Sequence, residues 1–86
     1  MITGINTIFE HDGRKLHLQA EDLGDEATAF EVRVYDEGSV VWQKRLPYDD
    51  IEAQGLPKQE RDQALRTRME KTLLTVGAAI AKGKIG

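Results

Sequence analysis

Two histidines, one serine and a surplus of carboxylates are the side chains here that could do chemistry. Ser39 is the only serine, and it follows Gly38 where a turn is expected. No histidine is near it in sequence and no glycine elbow surrounds it, so it lacks the base that activates a hydroxyl nucleophile. Glu10, His11 and Asp12 could contribute to a metal site together with His17. On a hairpin the two imidazoles would stand about 10 Å or more apart, outside ordinary ligand spacing. Asp36-Glu37-Gly38 lacks the repeated acidic spacing of a calcium loop, and Gly83-Lys84 lacks the glycine-rich lead of a phosphate loop. The acid pairs Glu21-Asp22, Asp25-Glu26, Asp36-Glu37 and Asp49-Asp50 fall in or beside turns. Solvation there keeps a carboxylate ionised, whereas acid–base work needs one with a raised pKa. The expectation is a non-enzymatic protein with no catalytic residue, no cofactor and no metal ligand.

Composition narrows the setting. Cysteine is absent, which excludes disulfides and thiolate chemistry and points to a reducing, cytoplasmic environment. The segment Met1 to Phe9 has neither a basic residue nor a long apolar run, so no signal peptide is expected. The longest nearly apolar stretch, Leu73 to Ala81, is far below the roughly 20 residues of a membrane span. With 86 residues, 40% hydrophobic and 31% charged, the chain suits one folded domain over 1–86. A net charge of −3 repels a phosphate backbone in general, though it leaves room for a local basic face.

The elements that would position these groups follow from periodicity. Lys15 to Glu21 alternates polar and apolar residues strictly, and so does Phe30 to Val34. Each therefore reads as a strand with one face buried. Glycine in His11-Asp12-Gly13 and Asp36-Glu37-Gly38 marks two hairpins, and Leu23 to Glu26 is a looser connection. Four strands are predicted, over about Ile5–Glu10, Arg14–Glu21, Thr28–Tyr35 and Ser39–Leu46. A two-residue Asp12-Gly13 loop sets Phe9 against Leu16, Thr7 against Leu18 and Ile5 against Ala20, which gathers one apolar face, and is preferred to a three-residue loop that would bury Ile8 instead of Phe9. In the second hairpin a three-residue loop, Asp36 to Gly38, would set Val34 against Val40 and Val32 against Trp42. Leu16, Leu18 and Ala20 would then pair with Val34, Val32 and Phe30. Trp42 becomes the principal core anchor, with Lys44 snorkelling on the same face.

Pro47 ends the strands, and Asp49 or Asp50 could cap a short helical turn that closes at Gly55. Pro57 suits the first position of a long helix. There the rhythm changes to period 3.6 through Leu65, Met69, Leu73, Val76 and Ile80. Lys58 with Asp62, and Asp62 with Arg66, would pair four apart on its outer side. The fold class is α+β: a four-stranded antiparallel meander roofed by one long C-terminal helix.

Two surfaces remain as candidate sites. Beyond its inner stripe the helix carries Leu74, Gly77, Ala78 and Ala81, an apolar width that one packed face does not use. These form a candidate homodimer interface, twofold dimers being the commonest assembly. Coverage by Met1-Ile2 or by a curling sheet is the alternative, and an unknown protein partner would fit as well. The polar sheet face would gather Lys15, His17, Arg33, Tyr35 and Arg45, with Val41 beside them. Basic groups next to an aromatic suit single-stranded nucleic acid, but Glu10, Glu21 and Glu31 share that face and only one aromatic is available. The leading expectation is a small self-associating interaction module, with nucleic-acid binding as the alternative.

Overall fold

Two left-handed dipeptides turn the chain back on itself. Asp12 and Gly13 have φ of 52° and 77°, and Glu37 and Gly38 have 51° and 85°. Positive φ at both central residues is the hairpin turn whose twist matches that of the flanking strands. In the computed structural model, which describes residues 4–24 and 26–84, these turns join β1 (Gly4–His11) to β2 (Arg14–Asp22) and β3 (Ala29–Asp36) to β4 (Ser39–Pro47). The strands form one antiparallel sheet in the order β1-β2-β3-β4. A short helix α1 (Asp49–Ala53) and a long helix α2 (Lys58–Ala81) follow. The ββββα architecture is the one that the two periodicities predict.

The first hairpin has the expected register: Phe9 pairs with Leu16, Thr7 with Leu18 and Ile5 with Ala20. The other two registers differ from expectation. Glu37 takes a left-handed φ, so the second loop is two residues long and Asp36 pairs with Ser39. An irregularity then falls between Val34 and Tyr35: Tyr35 pairs with Val40, Val34 with Trp42 and Val32 with Lys44. The extra residue, Val41, is a bulge that restores the phase which the shorter loop would have lost. Between β2 and β3, Leu18 pairs with Val34 and Ala20 with Val32. That is two residues from the expected pairing, so every side chain keeps its face.

The core lies between the inner sheet face and α2. Leu16, Leu18, Ala20, Phe30, Val32 and Val34 are buried from the sheet. Leu65, Met69, Leu73, Val76 and Ile80 are buried from the helix, which is the stripe its periodicity predicts. Trp42 is only half-buried, and Lys44 beside it is exposed. The helix packs over β1 and β2, so the inner face of β4 has less cover. Tyr48 and Phe30 are the largest fully buried side chains, and Tyr48 takes the anchoring place expected of Trp42. Val41, expected on the polar face, instead lines an inner hollow with Leu16, Val34 and Ile80 because the bulge turns it.

The helix ends also differ in detail. Tyr48 is the N-cap of α1, and Asp49 and Asp50 lie in its first turn without a side-chain capping bond. Pro57, extended at ψ 150°, precedes α2 as its N-cap. Asp62 meets Arg61 at 2.9 Å, and Arg66 pairs with Glu70, four residues on, at 3.1 Å. Gly55 and Gly83 close their helices with positive φ.

Candidate functional site

Alternation along β2 and β3 builds the polar face of the sheet, and ladder register decides which of its groups meet. His17 lies between Ile8 and Tyr35, and Gln19 between Asn6 and Arg33. Lys15, His17 and Tyr35 line one shallow hollow with Asn6, Gln19 and Glu37. Arg33 sits beside it, held by Glu31 through Nε at 2.7 Å and Nη2 at 2.5 Å, with Glu21 at 3.6 Å. Hydrogen bonds with Tyr35 and Glu31 raise its pKa further. Arg45 is in the next row, opposite Glu31, with their charged atoms 3.9 Å apart. The structure thus groups Lys15, His17 and Tyr35, and gives the two arginines carboxylate neighbours.

The two histidines fall on opposite sheet faces. His17 follows the outer alternation. His11 follows the inner one, stacked on Phe9 with ring centroids 6.2 Å apart and 3.2 Å from the Asp12 carboxylate. Among the described residues no three histidine or carboxylate side chains gather as metal ligands would. Ser39 is exposed at the start of β4. No helix among the described residues is long and apolar enough to cross a membrane.

On the helix, Leu74 is 75% exposed, and Ala78 and Ala81 are exposed with it. Gly77 is buried, and it is taken out of the exposed stripe by Phe9. A Cβ at Gly77 would lie 3.2 Å from the Phe9 ring, so the glycine is the seat that lets β1 and α2 approach. Met1 and Ile2, the alternative cover for this region, lie outside the described residues. Between β1 and α2 a cleft of about 550 Å³ is lined by Ile5, Thr7, Ile8, Phe9, Glu70 and Leu74, among others. Ile8 on the adjoining strand is 58% exposed. The helical periodicity points to Leu74, whereas nothing in the strand's own alternation singles out Ile8.

A third constellation escaped the sequence reading. The Tyr48 hydroxyl donates to Asp22 Oδ1 at 2.7 Å and approaches the Gly24 carbonyl at 3.1 Å. Arg61 donates to the Tyr48 hydroxyl at 3.2 Å and to Glu52 at 2.5 Å, with its guanidinium 5.3 Å from the Tyr48 ring centre. Asp22 is 7% exposed; its Oδ1 also accepts from the Gly24 N–H at 2.9 Å, while Oδ2 has no partner among the described residues. Burial, with the Asp22 hydrogen bond, pushes the Tyr48 pKa up to about 12. Burial alone would lower the Arg61 pKa, but Glu52 and Asp62 outweigh it. The network ties the end of β2 to both helices, which is a structural task. One signal could have found it: Asp22 continues the inner alternation of Leu16, Leu18 and Ala20, and an acid on a buried face needs a partner.

Comparison with protein-family models, with curated proteins and with solved structures finds no match to this chain.

Proposed function

We propose that this chain is a small non-enzymatic interaction module that self-associates through the exposed flank of α2. Leu74 carries the reading. It is a large aliphatic side chain three-quarters exposed on an ordered helix, continuous with Ala78, Ala81 and the cleft beside β1. Burying one leucine contributes about 1.5–3 kcal/mol, and a twofold contact counts it twice. Small residues beside it let another backbone come close. Burial shifts the ionisation of Tyr48, and hydrogen bonds within the fold shift those of Asp50, Asp62, Arg33, Arg61 and Arg68. Use of the outer face as a nucleic-acid reader has less support, because Glu21 and Glu31 already occupy Arg33 and Arg45.

The test is solution mass by light scattering for the wild type and for Leu74→Glu, with circular dichroism to check the fold. A dimeric wild type and a folded, monomeric variant are expected. A wild type that stays monomeric up to millimolar concentration overturns the proposal.

A further inference from the structure

Among the described residues both outer strands of the sheet, β1 and β4, have an unpaired edge, and the two edges differ in kind. β4 carries the bulge at Val41, Lys44 and Arg45 in mid-strand, and Pro47 at its end. Such features keep an edge strand from pairing with another chain. β1 has none of them: its eight-residue ladder is regular, it holds no lysine, arginine or proline, and Glu10 is its only acid. The Asp12-Gly13 turn also fixes which main-chain groups of β1 are free. A two-residue turn closes on a hydrogen-bonded pair, here His11 with Arg14, and bonding alternates along an antiparallel ladder. Ile5, Thr7 and Phe9 therefore bond to β2, while Gly4, Asn6, Ile8 and Glu10 direct N–H and C=O to the open edge.

We infer that β1 of a second copy of this chain adds to that edge, antiparallel about a twofold axis at Thr7, to make one continuous eight-stranded sheet. The inference rests on the self-association reading above and specifies its geometry. Centred on Thr7, the register bonds Asn6 to Ile8 and Gly4 to Glu10, so every outward-facing residue is used. It lays Ile5 beside Phe9 on the inner face and opposes no like charges.

The same axis brings the helices together. Because α2 packs over β1 and β2, its axis stands about one strand spacing, 4.8 Å, from the twofold. Two antiparallel α2 helices then run about 10 Å apart, the separation of packed helices. Their relative position follows from Phe9, which lies on Gly77, and from His11, which shares a hollow with Gly83 further along the same direction. Stepping back from Phe9 to Thr7 covers about 6.6 Å of strand, or about four residues of parallel helix. That step arrives at Leu73 and Leu74. Leu74 therefore meets its own counterpart, and Glu70 faces the small, exposed Ala78. One symmetry operation buries the exposed leucine and satisfies the strand edge, which border the same cleft in the single chain.

Thr7 would face its counterpart in a non-hydrogen-bonded pair, with Cα atoms about 4.5 Å apart, within disulfide reach. The chain has no cysteine, so Thr7→Cys introduces a single thiol. Under mild oxidation Thr7→Cys is expected to convert to a disulfide-linked dimer, while Gln63→Cys, exposed far from the axis, is not. Asn6→Pro removes one outward N–H and no bond to β2, and it is expected to give a folded monomer. If the wild type is dimeric and Leu74→Glu dissociates it, but Thr7→Cys crosslinks no faster than Gln63→Cys, edge pairing is overturned and the helix reading survives. A monomeric wild type removes both.

Discussion

The Tyr48 hydroxyl donates a 2.7 Å hydrogen bond to Asp22 Oδ1, tying the segment that leaves the sheet to the last residue of β2. Both residues are buried, and Arg61 of α2 joins them through the same hydroxyl. Removing that hydroxyl tests the bond with the ring left in place. Tyr48→Phe leaves Asp22 Oδ1 with only the Gly24 N–H, while Oδ2 has no described partner. A buried acceptor stripped of a partner costs about 1–3 kcal/mol, so the urea midpoint should fall by that equivalent at unchanged slope. A loss below about 0.5 kcal/mol, typical of an ordinary surface change, would show that the bond contributes little.

The same hydroxyl makes stability depend on alkaline pH. Burial and the Asp22 hydrogen bond hold its folded pKa at about 12, against an ordinary value of 10.0. A group whose pKa is raised by folding contributes fully below its unfolded value, and the contribution is lost as pH rises towards the folded one. Stability should therefore decline between pH 10 and about 12. Tyr48→Phe should flatten that decline. Denaturant midpoints measured across this window for the wild type and the variant decide the matter. An equal decline in Tyr48→Phe would assign it to another group.

Gly77 and Phe9 should show thermodynamic coupling. Alanine in a helix interior is favoured over glycine by about 1 kcal/mol. At position 77, however, the added methyl would meet Phe9 Cδ1 at 3.2 Å and Cε1 at 3.3 Å. Gly77→Ala should be neutral or destabilising in the wild type and stabilising by about 1 kcal/mol in a Phe9→Leu background. Strict additivity in the double-mutant cycle would mean that the ring moves aside freely.

These residues mark where the sequence can be read and where it cannot. The alternation of Leu16, Leu18 and Ala20 and the spacing of Leu65 to Ile80 are patterns along a line, and each fixes an element with its buried side. Phe9 against Leu16 follows from the loop that gathers one apolar face, but a three-residue loop burying Ile8 also fits the pattern, so the sequence favours this register without fixing it. The β3–β4 register was not legible in this way. A three-residue loop, and a two-residue loop followed by a bulge, both return Val34 and Trp42 to the inner face, so hydrophobic parity does not separate them. Trp42 looked like the anchor because its parity is right, yet its burial depends on where α2 lies across the sheet. Tyr48 belongs to no periodic run, and its role follows from where the chain leaves β4. Gly77 read as one more small residue on an exposed stripe, since nothing along the helix announces an aromatic ring from β1.

The last prediction concerns acid. Arg68 donates to both oxygens of Asp50, at 3.0 and 2.6 Å, fastening α1 to α2. This hydrogen bonding holds the Asp50 carboxyl below its ordinary value of 3.8, against a smaller opposing effect of desolvation. A depressed pKa contributes stability above the unfolded value, and the contribution is lost as pH falls through the folded one. Both side chains are well exposed, so the contribution is small and sensitive to salt. Arg68→Gln should therefore lower the denaturant midpoint slightly at neutral pH and low salt. The difference from wild type should shrink with added salt and vanish as pH drops well below the ordinary carboxylate value. A gap that persisted unchanged into strong acid would trace the effect of Arg68 to packing of its stem on α2, not to its charge on Asp50.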